Sequence, residues 1–340
     1  MVPKSLDSFP RVTLLEGPTP IQRLSRLERH LGDEGGGVRI FVKRDDLTGI
    51  GGGGNKLRKL EFLLGEAVAR GCDTFLTVGA VQSNHARLSA AASARTGLAC
   101  ELVLASVVPR DDAEYRRNGN ILLDGLFGAV VHRVPADADP LTIANERAAQ
   151  LVREGRRAYV VGAGGSSPLG CLGYAVCAAE IAAQEPPEKF ARVVIPNGSH
   201  GTHAGLAAGF AMLGRDPSVV RSFAVLRPAD AAAAGTLAIA RNALSLLESS
   251  VALDAGAVDV AGGQLGGGYG VPTESAMAAV RLLATTEGLL LDPVYGAKAF
   301  AGLLADIRSA EYRPGDAVLF VMTGGLPGLF AYRPAFDSRP

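Results

Sequence analysis

Short apolar runs alternate with longer segments of helical periodicity along most of this chain. Such alternation predicts an α/β architecture built on parallel sheets, with helices on both faces. The runs are continuously apolar, which is typical of strands buried on both faces. The predicted strands are 38–42, 74–78, 100–104, 129–134, 158–162, 192–196, 222–226 and 317–322. The predicted helices, besides one that begins at Lys56, are 84–96, 115–127, 141–154, 170–184, 202–213, 231–249, 273–287 and 297–309.

Length and composition limit the classes of protein that the chain can represent. A chain of 340 residues is too long for one compact core and predicts two domains. Lys+Arg and Asp+Glu balance at 34 each, so no electrostatic footprint for nucleic acid or an anionic membrane is present. The chain has neither a signal-peptide core at its start nor an apolar run of membrane-spanning length. We therefore predict a soluble, cytoplasmic protein whose four cysteines are reduced core residues: Cys72, Cys100, Cys171 and Cys177.

The stretch 41–61 is the strongest chemical signal in the sequence. Four glycines, 51–54, and Asn55 precede Lys56, and an apolar-faced helix begins at once. Glycine lets the backbone approach a bound group closely, because no Cβ intervenes. The helix dipole disfavours a cation in a first turn, so a lysine fixed there indicates chemistry rather than solubility.

Three other interpretations of this stretch are weaker. A dinucleotide fingerprint can be traced within 49–54, but it should follow a strand directly, and polar residues intervene. A phosphate-binding Walker A loop needs Ser or Thr after its lysine, where this chain has Leu57. A flexible loop before an ordinary basic helix leaves Lys56, Arg58 and Lys59 unexplained.

In open parallel sheets, ligands gather where strands end and helices begin. After the strand 74–78 four polar residues follow one another: Gln82, Ser83, Asn84 and His85. A helix start of this kind, with its free backbone amides, suits a carboxylate. A simple N-cap would explain one of these polar residues but not all of them.

A second junction follows the strand 192–196 and alternates small with hydroxylated residues before an apolar helix. The residues concerned are Gly198, Ser199, Gly201 and Thr202. Backbone amides, hydroxyls and a helix dipole hold a phosphate here, with no cationic side chain in the stretch. His200 and His203 lack nearby Cys, Asp or Glu partners, so no metal is predicted.

Three further positions carry weaker signals. Thr323 precedes two glycines at a strand end, where a flat ligand can approach and a hydroxyl can bond a ring nitrogen. Tyr295 follows Asp292-Pro293 directly before a helix, and Tyr269 lies in the Gly-rich segment 261–272. With the two junctions, these positions support the hypothesis that Lys56 forms a Schiff base with pyridoxal 5′-phosphate and that the chain builds its pocket.

The motifs KRDDLTG, GGNKLRKLE, QSNHAR, GTHAGL, GYGVP and DPVY occur in this order between residues 19 and 332. In this combination the chain resembles fold-type II pyridoxal-phosphate enzymes, specifically the family of D-cysteine desulfhydrase and aminocyclopropane-carboxylate deaminase. The resemblance implies two open, twisted α/β domains like those of tryptophan synthase β. The smaller domain, 57–165, would be inserted in a larger one formed by 1–56 and 166–340, and the enzyme would be a homodimer.

The resemblance also implies roles for individual residues. Lys56 would carry the cofactor, Asn84 would hydrogen-bond the cofactor's 3′ oxygen, and Thr323 would face the pyridine nitrogen. The phosphate would be held by the loop 198–202, including His200. The residues facing the substrate would be Ser83, Asn84, His85, Tyr269 and Tyr295.

The chain departs from the family pattern at three places. The deaminases carry a glutamate after the tyrosine of DPVY, where this chain has Gly296, and Gln-Thr where it has His85-Ala86. Both differences disfavour opening of the cyclopropane ring. Some desulfhydrases carry a histidine where this chain has Met322.

The predicted reaction is α,β-elimination on a D-amino acid with a β-thiol, as in the conversion of D-cysteine to pyruvate, sulfide and ammonia. Lys56 would act as the base, and Ser83, Tyr269 and Tyr295 would act on the substrate. Alternatives are another family substrate (L-cysteate, aminocyclopropane-carboxylate or a biosynthetic thioether) and a non-catalytic protein that binds pyridoxal phosphate.

Overall fold

The computed structural model describes residues 5–337. Its strands are β1 Ile21–Arg23, β2 Arg39–Lys43, β3 Thr74–Ala80, β4 Ala99–Ala105, β5 Val130–Val134, β6 Ala158–Val161, β7 Arg192–Asn197, β8 Val220–Ala224, β9 Asp259–Ala261 and β10 Ala317–Val321. Its α-helices are α1 Ser25–Leu31, α2 Lys56–Ala69, α3 Asn84–Thr96, α4 Ala113–Arg117, α5 Asn120–Leu126, α6 Pro140–Arg153, α7 Pro168–Gln184, α8 Gly201–Met212, α9 Ala229–Leu246, α10 Glu274–Glu287, α11 Gly296–Arg308, α12 Pro327–Ala331 and α13 Pro334–Asp337.

The strands form two separate sheets. The larger has the order β1-β2-β10-β7-β8-β9, and all its neighbours are parallel except the pair β1–β2. The smaller has the order β5-β4-β3-β6 and is parallel throughout. The predicted α/β class with two parallel sheets is therefore confirmed.

All strands of the smaller sheet lie inside the segment 57–165 that the sequence assigns to a smaller domain. The larger sheet draws its strands from both sides of that segment. Helix α2 opens the segment and packs Leu57, Leu60 and Leu64, all fully buried, in one core with Phe75 of β3. Full burial of a leucine contributes about 1.5–3 kcal/mol. The domain boundaries themselves stay a prediction.

Every predicted strand is present within two residues of its predicted bounds, but two strands were missed. Both are three-residue strands at the edges of the larger sheet, β1 and β9, and neither contains a buried residue. An edge strand without a buried face shows neither alternation nor a continuous apolar run, so its sequence gives no strand signal.

The predicted helix 115–127 is wrong as one element. The chain forms α4 and α5 instead, and the break falls at Asn118 and Gly119. Gly119 has φ 65°, and a Cβ there would lie 2.7 Å from Oε1 of Gln82. The backbone therefore approaches the end of β3 more closely than any residue with a side chain allows.

The carboxyl ends of β3, β7 and β10 open onto the same cleft between the two sheets. Each is followed by one of the polar junctions that the sequence singled out, at 82–85, 198–202 and 323–325. A backbone bridge between Gly54 and Gly324 joins the turn before α2 to the end of β10. Within residues 5–337, no helix is both long enough and apolar enough to cross a bilayer.

Candidate active site

The cleft between the sheets contains a cavity of about 580 Å³, within the range of small-molecule sites. Side chains from both sheets line it. The structure brings every predicted site residue to this one cavity: Lys56, Ser83, Asn84, His85, Gly198, Ser199, His200, Gly201, Thr202, Tyr269, Tyr295 and Thr323.

Lys56 is the first residue of α2, and its Nζ donates to Oδ1 of Asn55 at 2.9 Å. Burial, reinforced by the nearby charges of Lys59 and Arg87, holds the pKa of Lys56 well below its usual value, although Asp292 opposes the shift. A lowered pKa favours the neutral amine, which is the form that attacks a carbonyl carbon.

The loop 198–202 leads from β7 into α8. Its amides lie at the N-terminus of a twelve-residue helix, where the dipole favours an anion. Ser199 Oγ lies 2.8 Å from Ser166 Oγ, and the side chain of Asn55 donates to Thr202 Oγ1 at 3.0 Å. Asn55 therefore connects the reactive amine to the anion-binding loop.

Lys59 supplies a cation that the sequence prediction of this loop did not include. One turn after Lys56, its Nζ donates to Ser166 Oγ at 3.0 Å, and a Cβ on Gly201 would lie 2.7 Å from this Nζ. The stretch 198–202 itself contains no cationic side chain, but the fold places Lys59 beside it. Burial lowers the pKa of Lys59 to about 8, so the ammonium form still predominates at neutral pH.

Ser83 caps α3, because its Oγ accepts from the amide of Ala86 at 3.1 Å. The next residue, Asn84, receives a hydrogen bond at its Oδ1 from Nδ2 of Asn120, at 2.9 Å. These contacts fix the polar turn in which both an N-cap and a ligand-binding role were predicted.

His85 is buried, and its Nε2 lies 2.9 Å from Thr77 Oγ1. Thr77 donates its own proton to the carbonyl of Val161, so its oxygen accepts from Nε2–H of the histidine. Burial holds the pKa of His85 well below its usual value. The ring is therefore neutral, and its unprotonated Nδ1 is buried without a hydrogen-bond partner among the described residues.

Tyr269 and Tyr295 form a pair whose hydroxyl oxygens are 2.5 Å apart. Burial raises the pKa of both phenols, that of Tyr295 to well above its usual value. Both rings therefore keep their protons at neutral pH. One proton serves the bond between the hydroxyls, and the other is available to a ligand.

Asp292 holds the turn that presents Tyr295. Its carboxylate accepts from the amides of Val294, Tyr295 and Gly296 at 2.6–3.0 Å. Burial raises the pKa of Asp292, although these amides and Lys56 oppose the shift. The carboxylate thus replaces the helix bonds that the first amides of α11 lack.

The Gly-rich loop 261–272 forms the cavity wall that carries Tyr269. Fully buried Lys298 of α11 donates to the carbonyl oxygens of Leu265, at 2.7 Å, and Gly268, at 3.1 Å. The hydroxyl of Tyr332 donates to the carbonyl of Gly270 at 2.8 Å. A loop without regular hydrogen bonds is thus fastened on both sides of its tyrosine.

Thr323 follows β10 and lies at the cavity, and its carbonyl accepts from the amide of Asn55 at 3.1 Å. The next residue, Gly324, has φ 79°, and a Cβ there would lie 2.7 Å from Cα of Gly54. Glycine is required at this crossing because two backbones touch.

Two chemically different groups fit the two ends of this cavity. The loop 198–202 with Lys59 offers amides, hydroxyls and an ammonium, a donor set that selects an anion such as a phosphate. At the other end, Lys56, whose lowered pKa favours the neutral amine, offers a nucleophile for a carbonyl carbon. Among the residues that the structure describes, no group of three His, Cys, Asp or Glu side chains is arranged to bind a metal. The fold and site thus define a two-sheet α/β protein whose cavity fits a phosphorylated aldehyde.

Comparison with known proteins leads to the same class. The chain belongs to the family described as pyridoxal-phosphate dependent enzymes, whose model matches residues 12–324. Its cofactor is therefore pyridoxal phosphate, which fits the donor set just described.

Individual relatives cover nearly the whole chain. It is 42% identical to D-cysteine desulfhydrases of Serratia proteamaculans and Klebsiella pneumoniae, over 97% of this chain and 98% of each relative. A solved structure, an ACC deaminase homologue, aligns with a TM-score of 0.86 and 38% identity, over 97% of this chain and 96% of that one. An O-ureido-L-serine synthase, 19% identical with a TM-score of 0.64 and coverage of 98% and 96%, shares the fold.

Sequence reasoning did not assign a function to Lys59, Asn120 or Lys298. Lys59 gave a partial signal, since a cation in a first helical turn is unusual. Asn120 and Lys298 gave none, because their partners lie 36 and 30–33 residues away in the chain.

Proposed function

We propose that this protein is a pyridoxal-phosphate dependent lyase that eliminates the thiol of D-cysteine and yields pyruvate, sulfide and ammonia. The observation that carries the proposal is the half-buried amine of Lys56, with its lowered pKa, in a cavity that also contains two protonated tyrosines. The same activity is named for the desulfhydrases that share 42% of their residues with this chain.

Lys56 is proposed as both the cofactor's attachment point and the base. Its lowered pKa favours the unprotonated amine once the substrate has displaced it, so that it can accept the α-proton. Pyridoxal phosphate, when bound, stabilises the negative charge left on the α-carbon. The loop 198–202 and Lys59 are proposed to hold the phosphate, and Thr323 to face the pyridine nitrogen.

The start of α3 is proposed to bind the substrate carboxylate. Ser83 keeps a hydroxyl proton to donate while its oxygen caps the helix, and the dipole of α3 favours an anion there. Asn84 is proposed to bond the cofactor's 3′ oxygen, and His85 to line the substrate end of the cavity.

The tyrosine pair is proposed to protonate the departing sulfur. A thiol has a pKa near ~8.5, so its anion is a good leaving group at neutral pH. Tyr295 and Tyr269 share one proton between their oxygens, and the second proton can be donated to the sulfur.

Gly296 favours elimination over cyclopropane opening. It has no side chain to place an acid beside Tyr295, and a Cβ there would lie 3.0 Å from Oδ1 of Asp292. We therefore expect little 2-oxobutanoate from aminocyclopropane-carboxylate.

The test is a panel of substrates assayed with the purified holoenzyme. D-cysteine, L-cysteine, L-cysteate and aminocyclopropane-carboxylate are each incubated while pyruvate, 2-oxobutanoate, sulfide, sulfite and ammonia are measured. We expect equal amounts of pyruvate, sulfide and ammonia from D-cysteine. Sulfite from L-cysteate, or 2-oxobutanoate from aminocyclopropane-carboxylate, as the dominant product would replace the proposal with the corresponding alternative. A coloured protein that turns over none of the substrates would favour a binding protein.

The protein is further proposed to be a cytoplasmic homodimer. Helices α5 and α12 contact each other and expose four large apolar side chains, a patch typical of subunit interfaces: Leu122, Leu126, Leu326 and Phe330. The four cysteines are buried and form no disulfide, which suits a reducing compartment.

Sedimentation of a variant tests the dimer. Substituting Leu126→Asp and Phe330→Asp together should yield a monomer, because charges would be buried in the interface. The matched control is Val152→Asp, at an apolar residue that is 64% exposed on α6. A wild-type protein that sediments as a monomer would exclude the dimer.

A further inference from the structure

The break in the predicted helix 115–127 places Asn120 at the start of α5, against the end of β3. Its backbone amide donates to Oε1 of Gln82 at 2.9 Å, and the residue is 1% exposed. Gln82 in turn donates from Nε2 to the carbonyls of Tyr115 and Asn118, at 2.6 and 2.8 Å. The start of α5 is thus fastened to the junction that carries Asn84.

The orientation of two amide side chains follows from these contacts. Nδ2 of Asn120 donates to the backbone carbonyl of Gln82 at 3.0 Å and to Oδ1 of Asn84 at 2.9 Å. A backbone carbonyl can only accept, so the NH₂ group of Asn120 must point at this pair. Asn84 must then turn its oxygen toward Asn120, which leaves its own NH₂ group on the other side.

The NH₂ group of Asn84 lies beside the end of β10, next to the cavity-lining Thr323. A Cβ on Gly325 would lie 2.7 Å from Nδ2 of Asn84, which places this nitrogen beside the strand end that carries Thr323. Thr323 and Asn84 both line the cavity with Lys56. Asn84 therefore presents a hydrogen-bond donor, and not an acceptor, to whatever lies between these residues.

We propose that Asn120 is a positioning residue that fixes Asn84 as a hydrogen-bond donor to the cofactor's 3′ oxygen. The inference rests on the proposed function, because the contact of Asn84 with the cofactor belongs to it. A donor at this oxygen favours the ionised form, whereas an acceptor favours the form that keeps its proton. Asn120 thus sets the charge of the ring oxygen without touching the cofactor.

The substitution Asn120→Asp tests directly whether Asn120 determines which end of the Asn84 amide faces the cofactor. A carboxylate only accepts, so Asn84 is expected to turn its NH₂ group toward it and its oxygen toward the cofactor. In the visible spectrum of the holoenzyme, the longer-wavelength band of the ionised 3′ oxygen should decrease severalfold relative to the shorter-wavelength band of the neutral form. The dissociation constant of pyridoxal phosphate, measured by titrating the apoprotein, should rise about tenfold through loss of one hydrogen bond.

Asn118→Asp is the matched control, because it makes the same chemical change two residues away. Oδ1 of Asn118 accepts from the amide of Gly119 at 2.8 Å, a bond that a carboxylate can keep. Its Nδ2, which the substitution removes, donates to Glu114 at 2.9 Å rather than to Asn84. Its band ratio should match that of the wild type. An Asn120→Asp ratio equal to that of the wild type would overturn the proposal.

A double-mutant cycle decides the question if Asn120→Asp does not fold. The variants are Asn84→Ala, Asn120→Ala and the two combined, all measured for band ratio and cofactor affinity. Because Asn120 acts through Asn84, Asn120→Ala should change both quantities in the wild-type background and neither in the Asn84→Ala background. Equal changes in both backgrounds would show a general structural role and reject the inference. A wild-type protein without a visible band would instead reject the proposed function.

Discussion

Two walls of the cavity are built in different ways. We call residues 82–84 with Asn120 the amide wall, and residues 267–271 the loop wall. The amide wall joins β3 to α3, and hydrogen bonds connect its polar groups, although Oδ1 of Asn120 is buried without a partner among the residues that the structure describes. The loop wall has no regular secondary structure and is held by three side chains of later elements, Lys298, Tyr295 and Tyr332.

This difference indicates that the two walls have different roles. A hydrogen-bonded network at the end of a buried strand has little conformational freedom, so it suits a cofactor that must be held in one orientation. A loop that is held at separate points can change its conformation when the side chains that hold it change. Such a loop suits the part of the site that binds the substrate. Substitutions at the cofactor end should therefore alter cofactor binding, and those at the loop wall should alter substrate kinetics.

The largest expected effect comes from Lys56→Ala, which removes the attachment point and the base together. We expect loss of the visible absorbance and of pyruvate formation from D-cysteine. Absorbance spectroscopy and a lactate dehydrogenase-coupled assay measure the two. A variant that retains both would refute the assignment of Lys56.

Tyr295→Phe should affect the loop wall alone. It removes one of the two phenolic protons of the tyrosine pair. We therefore expect kcat on D-cysteine to fall by about 100-fold while the cofactor spectrum stays unchanged. Tyr312→Phe is the control, since that hydroxyl bonds Asp306 and does not line the cavity. A changed cofactor affinity in Tyr295→Phe would contradict the division between the two walls.

Lys298→Met should also act through the loop wall, with a smaller effect. It leaves the carbonyls of Leu265 and Gly268 without their donor, so the loop and Tyr269 lose a fixed position. We expect kcat/KM to fall about tenfold, mainly through KM, with no change in the affinity for pyridoxal phosphate. Steady-state kinetics and hydrogen exchange over residues 262–271 measure this.

Lys298→Arg is the companion variant, because it keeps the charge and should keep part of the anchoring. Equal kinetics for Lys298→Met and the wild type would show that the loop does not depend on this ammonium. Faster exchange without a change in KM would show that loop order and substrate binding are independent.

The contrast between the walls also explains what the sequence could predict about the site. The junctions at 82–85 and 198–202 were found because small and polar residues directly follow an apolar strand, a local pattern. The anchors of the loop wall were not predicted. In the sequence, Lys298 has the pattern of an ordinary helix residue, and only the folded chain brings it to Leu265 and Gly268.

The fold shows the same limit. Strands that are buried on both faces, such as β3, have continuously apolar sequences and were predicted. The edge strands β1 and β9 have no such apolar run. The break at Gly119 was missed because its cause is a tertiary approach to Gln82 rather than a local preference. The sequence therefore placed Asn120 in the middle of one predicted helix rather than at the start of α5, and its contact with Asn84 could not be predicted.

The smallest expected effect is a pH dependence at the phosphate end, through Lys59. Burial lowers the pKa of this lysine from 10.5 to about 8, so its positive charge is present at pH 7 and is lost as pH rises through about 8. The attraction for a phosphate should weaken over the same interval. The ratio of the dissociation constants of pyridoxal and pyridoxal phosphate isolates this contact, because both aldehydes react with Lys56 alike. We expect the ratio to fall severalfold between pH 7 and pH 9.5.

Lys59→Met provides the comparison that assigns the dependence. Without the ammonium the ratio should be lower at pH 7 and should not change with pH, because the remaining donors, the amides of the loop 198–202 and its hydroxyls, do not titrate in this range. The KM for D-cysteine with the saturated holoenzyme should match the wild type, which is the reverse of the result expected for Lys298→Met. A ratio that falls equally in Lys59→Met and the wild type would assign the pH dependence to another group and remove Lys59 from the phosphate site.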